Sequence, residues 1–495
     1  MKKNVDMSIG ARSVLAVKWS VLTTIARFTL QLIAQIILAR LLGPENYGIF
    51  GIAIVVYGLS YFLATIGLSW ALVKLPTIDF DDIRFVFTWQ LIASILVAVL
   101  LYSLAPWIAG DIFNDARSQP IMRWLALACP LSAASVVSGA LLQREIDFKV
   151  TGLIQLVSYF IGYILVGIPL AFAGYGVYAL LSAWLTQAAS NTIGLYFNAP
   201  FSLRPLLRSP NSRALVKTGA AVFVTNFANW LSNNLDRLMI GKYLDAISIG
   251  VYNAAFNLAS QPNQLLVGAL QPVFMASGAR INEDRERFRL VFEQVLGGIF
   301  VLLLPVFVIP AVLAPEIIQM LLGPAWQNAA PILRLLVLTT PFVVAGGMST
   351  PVLWNTDRGH LEVILQLPIL ALAAVCFVMF ADRGVLVSAM IAAGMIFCRS
   401  MTLLTAAQRQ LGIRLTDTVC WLLRGLALAA ITGAITFTVA HYLPSWHALP
   451  KAAVATTCAF LALIALIFAF PQVIGAQATA LVLRFAPRFK PWLHR

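Results

Sequence analysis

The sequence predicts an all-α integral membrane protein, with about fourteen transmembrane helices arranged as two parallel six-helix lobes plus two extra C-terminal helices. Composition, charge-free windows and a weak internal repeat carry that expectation. Of 495 residues, 60% are hydrophobic and only 11% are charged, against roughly 25% charged in a soluble globular protein. So few charges cannot cover the surface of a soluble fold of this length, whereas a surface solvated by lipid needs almost none. A soluble multidomain enzyme is therefore excluded. The net charge of +14 reads as topology, and no nucleic-acid partner is expected. The five cysteines lie in apolar stretches without paired spacing, which indicates neither a disulfide framework nor a zinc site.

Charge-free windows place the spans, because an ionised group at the bilayer centre costs a few kcal/mol and about 20 apolar residues are needed to cross. The stretches 85–110, 246–279, 335–356, 425–450 and 452–483 carry no charge. Residues 150–203 are charge-free over more than the length of one span, and the turn Gly174-Tyr175-Gly176 folds them into a hairpin. The resulting spans are 14–40, 47–72, 84–105, 120–142, 150–173, 177–197, 217–240, 248–276, 288–314, 328–353, 362–381, 385–408, 421–442 and 451–470. The basic N-terminal start runs into a full span without a small-residue cleavage site, and reads as a signal anchor.

The repeat sets the lobes. Arg40, Leu42, Gly48 and Phe50 in the first outer turn match Lys242, Leu244, Gly250 and Tyr252, 202 residues later. Pro120-Ile-Met-Arg123 matches Pro331-Ile-Leu-Arg334, and Gln155-Leu156 matches Gln366-Leu367, both 211 residues apart. Six spans per unit is an even number, so the two units share orientation, as parallel transporter repeats do. The expected organisation is an N-terminal lobe over 1–197, a cytoplasmic linker over 198–216, a second lobe over 217–409, two further spans within 410–470 and a basic tail over 471–495.

Of the 34 Lys and Arg residues, 25 fall in the tails and alternate loops on one side and 8 on the other. The positive-inside rule puts both termini in the cytoplasm. The remaining cation, Arg27, lies inside the first span, about 13 Å deeper than Lys18 by helical rise.

Polar stripes mark candidate site residues. Thr24, Arg27, Gln31 and Gln35 recur at three- and four-residue steps on span 1, as do Asn226, Asn229, Asn233 and Asp236 or Arg237 on span 7. Span 8 adds Asn253, Asn257, Ser260 and Gln264. Such stripes are costly against lipid, so they face either a cavity or one another, where interhelical hydrogen bonding is the plain structural alternative. Arg27 is the group read as functional. Arg237 beside Asp236 fits an ion pair or a substrate contact equally well, Arg399 reads as snorkelling, and Glu293 is expected to pair with Arg289.

Other features read as structural. Asp79-Phe-Asp81-Asp82 is taken as a solvated loop. Trp19, Trp89, Trp107, Trp124, Trp326, Trp354 and Trp446 sit near span ends and form an expected aromatic belt. The histidines give no ligand spacing. The tail with Arg484, Phe485, Arg488, Phe489, Lys490 and Trp492 has the composition of an anchor on anionic membrane lipid.

Several segments together resemble the Wzx-type polysaccharide flippases of the multidrug/oligosaccharidyl-lipid/polysaccharide exporter superfamily. They are Lys18-Trp19, the run from Leu38 to Phe50, Gln143-Arg144-Glu145 with Phe148, Asn234-Leu-Asp-Arg237 and Leu322-Gly-Pro-Ala-Trp326. The similarity runs over essentially the whole chain and is greatest to the exopolysaccharide and colanic-acid-like subgroup. It implies a flippase, not an enzyme, that carries undecaprenyl-diphosphate-linked oligosaccharide from the cytoplasmic to the periplasmic leaflet of the bacterial inner membrane by alternating access. Implied partners are that lipid-linked glycan, a polysaccharide polymerase and chain-length or export proteins. No cofactor is implied beyond sodium or proton coupling, for which Asp236 is the candidate group. The expected substrate contacts are Arg27, Gln31, Gln35, Asn229, Asn233, Arg237, Asn253 and Asn257, with Arg27 on the diphosphate and the asparagines on sugar.

A drug/cation antiporter of the same superfamily is the main alternative; it would ordinarily have twelve spans and cavity carboxylates, whereas the deepest charge in a polar stripe here is Arg27. A membrane polymerase or ligase typically has a long outer loop, which this sequence lacks.

Overall fold

A computed structural model of the chain describes residues 9–469 except 66, 76, 146, 282–284 and 444–445. Lys2, Lys3, the side chains of Arg12, Lys18, Arg280 and Arg285, the Glu283-Asp284 pair and the expected tail 471–495 lie outside the described residues. The fold is all-α, and no strand occurs among the described residues.

In chain order the helices are α1 (Ile9–Thr65), α2 (Leu68–Lys74), α3 (Phe80–Trp107), α4 (Ser118–Arg144), α5 (Phe148–Tyr159), α6 (Ile168–Phe172), α7 (Val177–Asn198), α8 (Ser212–Tyr243) and α9 (Ala246–Ile281). There follow α10 (Arg285–Gly298), α11 (Leu304–Val312), α12 (Ala314–Leu321), α13 (Ala330–Leu338), α14 (Thr340–Asn355), α15 (His360–Phe380), α16 (Val385–Leu411), α17 (Leu415–His441) and α18 (Ala448–Ala469). Wide π-helical turns over Phe160–Gly167 and Ile299–Leu303 join α5 to α6 and α10 to α11.

Ten helical runs among the described residues are long and apolar enough to cross a membrane. One of them, Leu22–Thr65, is 44 residues long; straight, it would measure about 66 Å, twice a hydrocarbon core. Gly43 divides it. Its φ of 70° is left-handed, and Pro44 follows with a ring that suits a first helical turn. The expected boundary between spans 1 and 2 is therefore a break inside α1. The apolar exteriors of α3 and α15 complete the membrane character: Leu96 is 60% exposed and Leu372 64%.

The chain divides into two compact units, Met1–Gly250 and Val251–Arg495, with the division inside α9. In the first unit, α4 packs on α1, α3 and α7, while α5 and its π-turn pack on α1 and α7. Helix α8 lies along α2 and the second half of α1, where Phe223 and Phe227 meet Phe62. One core of this unit gathers Leu72, Phe85, Val86, Val137 and Leu215.

In the second unit, Phe292, Phe300, Met348, Leu404 and Trp421 share a core, and α17 packs onto α10 and α11. Helix α18 closes on α12 and α17 through Ala452, Ala455 and Ala459. Arg289 bonds Glu293 at 2.9 Å, as the four-residue spacing predicts.

Two sequence expectations are corrected here. Asp82 is fully buried, not solvated. It accepts hydrogen bonds from the Ser209 hydroxyl, from Asn211 Nδ2 at 2.9 Å and from the Asp79 backbone N–H at 3.0 Å, so a carboxylate caps α3 and pins the 199–211 linker at once. Trp326 is fully buried as well, because the short 3₁₀ turn Pro324–Ala329 folds it into the unit instead of presenting it to lipid. Trp89, Trp107, Trp124, Trp354 and Trp446 keep exposed faces.

Candidate functional site

The functional candidates on span 1 begin with Arg27, and its position is set by packing one turn earlier. Gly152 on α5 has no side chain, and a β-carbon there would stand 2.3 Å from Thr23 Oγ1. Only glycine permits so close an approach. One turn further along each helix, this approach brings Arg27 of α1 to Gln155 of α5, and Arg27 Nη1 donates to Gln155 Oε1. Thr23 itself donates back to the Trp19 carbonyl at 2.7 Å, and Lys149 stacks over the Trp19 ring at 4.5 Å.

Arg27 and Gln155 line a cavity of about 420 Å³ within the first unit, together with Thr24, Ser69, Trp70 and Gln143. Hydroxyls, amides and one guanidinium therefore converge in a space walled by α1, α2, α4, α5 and α7. The Arg27 Nε–H is buried and makes no hydrogen bond among the described residues. A buried donor without a partner costs about 1–3 kcal/mol, more when the group is charged, which makes this guanidinium an acceptor-seeking group. No carboxylate lines the cavity among the described residues. It is electrostatically suited to an anion, whose oxygens a guanidinium meets in pairs.

The other predicted residues are distributed. Gln31 and Gln35 continue up α1, half-buried and outside that cavity lining; the Gln35 carbonyl accepts from Tyr47 Oη at 3.3 Å. On α8, Asn229 is half-buried and its Oδ1 has no hydrogen-bond partner among the described residues. By the 202-residue repeat Asn229 is the counterpart of Arg27. Asn233 is exposed, whereas Asp236 is buried and accepts from the Arg237 backbone N–H at 2.8 Å. Arg237 Nη1 also reaches Asn234 Oδ1 at 3.4 Å. Asn253 and Asn257 lie half-buried on α9 in the second unit, and the Asn257 carbonyl accepts from the Ser260 hydroxyl at 3.1 Å.

Sequence reasoning missed Gln155 as a site residue. Its signal was available: Thr151 and Gln155 sit four residues apart at the start of a charge-free span, a short stripe of the kind that singled out Arg27.

At the turn before α4 a second polar group holds the first unit. Arg117 chelates Asp115, Nε to Oδ1 and Nη2 to Oδ2 both at 2.9 Å, and reaches Glu45 with Nη1. Those bonds push the Arg117 pKa up from its ordinary value, Asp115 contributing first and Glu45 next.

Composition and fold define a multi-pass α-helical membrane protein. The fold is similar to a lipid II flippase MurJ structure in an inward closed conformation, with a TM-score of 0.71 at 13% identity, covering 91% of this chain and 99% of that one. It is also similar to an inward-facing multidrug resistance MATE family transporter of the MOP superfamily, with a TM-score of 0.61 at 16% identity over 78% and 94% of the two chains.

Residues 37–331 match the family described as Polysaccharide biosynthesis protein, and the chain belongs to that family. Its relatives include the succinoglycan biosynthesis transport protein ExoT of Rhizobium meliloti (strain 1021), 27% identical over 343 residues and 69% of each chain. The lipopolysaccharide biosynthesis protein WzxC of Escherichia coli (strain K12) is 24% identical over 337 residues and 67% of each chain.

Proposed function

We propose that this protein is a flippase that carries undecaprenyl-diphosphate-linked oligosaccharide from the cytoplasmic to the periplasmic leaflet of a bacterial inner membrane, for exopolysaccharide or lipopolysaccharide assembly. It acts by alternating access, with both termini in the cytoplasm. The role is transport without covalent chemistry, in keeping with the relatives named for polysaccharide transport and biosynthesis. The observation that carries the reading is the buried, acceptor-seeking Arg27 guanidinium in a hydroxyl- and amide-lined cavity free of carboxylates.

The chemistry follows from the substrate. A diphosphate and a string of sugar hydroxyls cannot enter hydrocarbon without losing several kcal/mol of hydration per group. Arg27 supplies a fixed cation for the diphosphate, and Thr24, Ser69, Gln143 and Gln155 stand ready to replace water on adjacent oxygens. Asp236, buried on α8, is the proposed group for sodium or proton coupling.

The test is Arg27→Ala and Arg27→Lys in cells that depend on this protein for polysaccharide, with the amount of protein in the membrane measured in parallel. Arg27→Ala abolishes output and Arg27→Lys restores part of it. Full output from Arg27→Ala at normal membrane levels would sink the proposal.

A further inference from the structure

A second cavity of about 590 Å³ lies in the first unit on the other side of α2: Leu68 faces it, while its neighbour Ser69 faces the Arg27 cavity. Its walls are apolar. Leu63 of α1, Phe85 and Trp89 of α3 and Leu207 of the linker line it, with Val216 and Phe223 among the residues α8 contributes. Leu63, Trp89, Leu207 and Val216 are all more than two-fifths exposed, so the groove is open along its length.

Its rim is basic. Arg208 follows Leu207, Arg213 follows the lining residue Ser212, and Lys217 follows Val216, all three exposed. None of them takes part in an ion pair among the described residues. The linker that presents Arg208 is fixed in place: the Leu206 N–H donates to Thr88 Oγ1 at 2.8 Å, Trp89 Nε1 to the Leu207 carbonyl at 3.3 Å and Arg84 Nε to the Arg204 carbonyl at 3.1 Å.

Dimensions select the occupant. From Ser212 to Phe223 the groove follows α8 for about 16 Å by helical rise, close to the roughly 15 Å of hydrocarbon in one leaflet. One fatty-acyl chain fits that length and volume; a long polyprenyl chain does not. Three exposed cations beside lining residues, without an ion pair among the described residues, complement an anionic headgroup.

We infer that this groove is a binding site for an anionic phospholipid of the leaflet bordering the basic linker, with one acyl chain along α8 and the headgroup phosphate among Arg208, Arg213 and Lys217. The assignment of that leaflet as cytoplasmic rests on the orientation proposed above, whereas the site itself does not.

The full chain, reconstituted in nanodiscs or released from detergent for native mass spectrometry, is probed with phosphatidylglycerol against phosphatidylcholine. Wild type retains phosphatidylglycerol preferentially and melts at a higher temperature with it. Replacing all three cations by glutamine lowers that preference by on the order of tenfold to a hundredfold, and Val216→Trp removes the bound lipid by filling the groove. If Val216→Trp fails to assemble, the triple glutamine chain carries the test alone. Arg27→Ala keeps the bound phosphatidylglycerol, which separates this site from the transport cavity. Equal retention of the two lipids by wild type, unchanged retention by the triple variant, or displacement of the phospholipid by undecaprenyl diphosphate would each overturn the inference.

Discussion

Gly48 and Gly250, counterparts in the internal repeat, each press against backbone of the other's segment. A β-carbon on Gly48 would stand 1.6 Å from the Ala246 carbonyl oxygen, and one on Gly250 would stand 2.0 Å from the Pro44 carbonyl oxygen. The start of the second half of α1 and the start of α9 thus cross with backbone against backbone, and no rotamer change can relieve an added methyl. We expect Gly48→Ala and Gly250→Ala to destabilise the folded protein by about 3 kcal/mol or more, at the upper end of overpacking costs. Thermal melting in detergent checks this against Gly110→Ala, where a new β-carbon meets nothing within 4 Å. Melting of Gly48→Ala at the temperature of that control would refute the packing argument.

Gln155 holds Arg27 through a neutral acceptor, which leaves the guanidinium its full charge for a ligand. Gln155→Glu replaces that acceptor by a carboxylate that pairs with the cation and repels an anion. Polysaccharide output is expected to fall further in Gln155→Glu than in Gln155→Leu, although the latter loses a charge-assisted bond worth about 1.5–3 kcal/mol. Output higher in the Glu variant than in the Leu variant would show that anion binding is not what the pair serves.

The contrast between these two cases shows what was legible from sequence. Membrane character, helical spans and the Arg27 stripe follow from apolar windows and three- and four-residue spacing, which are local properties. The Gly48–Gly250 counterparts were visible as a repeat, but their contact was not, because spacing along a chain carries no distance between segments. Gly152 stayed hidden for the same reason, because it matters through what another helix brings to it, whereas the Thr151–Gln155 spacing was visible and only its partner Arg27 was not. Asp82 was misread because its partners, Ser209 and Asn211, lie over 120 residues away.

Asp82 yields a sharper prediction for the linker. Fully buried and accepting three hydrogen bonds, it ties Ser209 and Asn211 to the start of α3. Asp82→Ala strands those donors, at about 1–3 kcal/mol each where they remain buried. Limited proteolysis is expected to cut within residues 199–211 faster in Asp82→Ala than in wild type, with Asp82→Asn between them. Equal cleavage rates in all three would mean that the carboxylate does not hold the linker.

At the turn before α4, burial decides which half of the Arg117 network matters. The Asp115 side chain is only 9% exposed and Glu45 53%, while Arg117 itself is 57% exposed. An exposed pair contributes about 0–1 kcal/mol and is screened by salt, whereas a buried carboxylate that loses its chelating cation costs more. Arg117→Ala is therefore expected to lower the melting temperature more than Glu45→Ala. The Glu45→Ala effect should vanish at high ionic strength, while part of the Arg117→Ala effect persists because Asp115 stays enclosed. Melting of both variants in low and high salt checks this, and equal, fully salt-sensitive losses would place Asp115 in solvent.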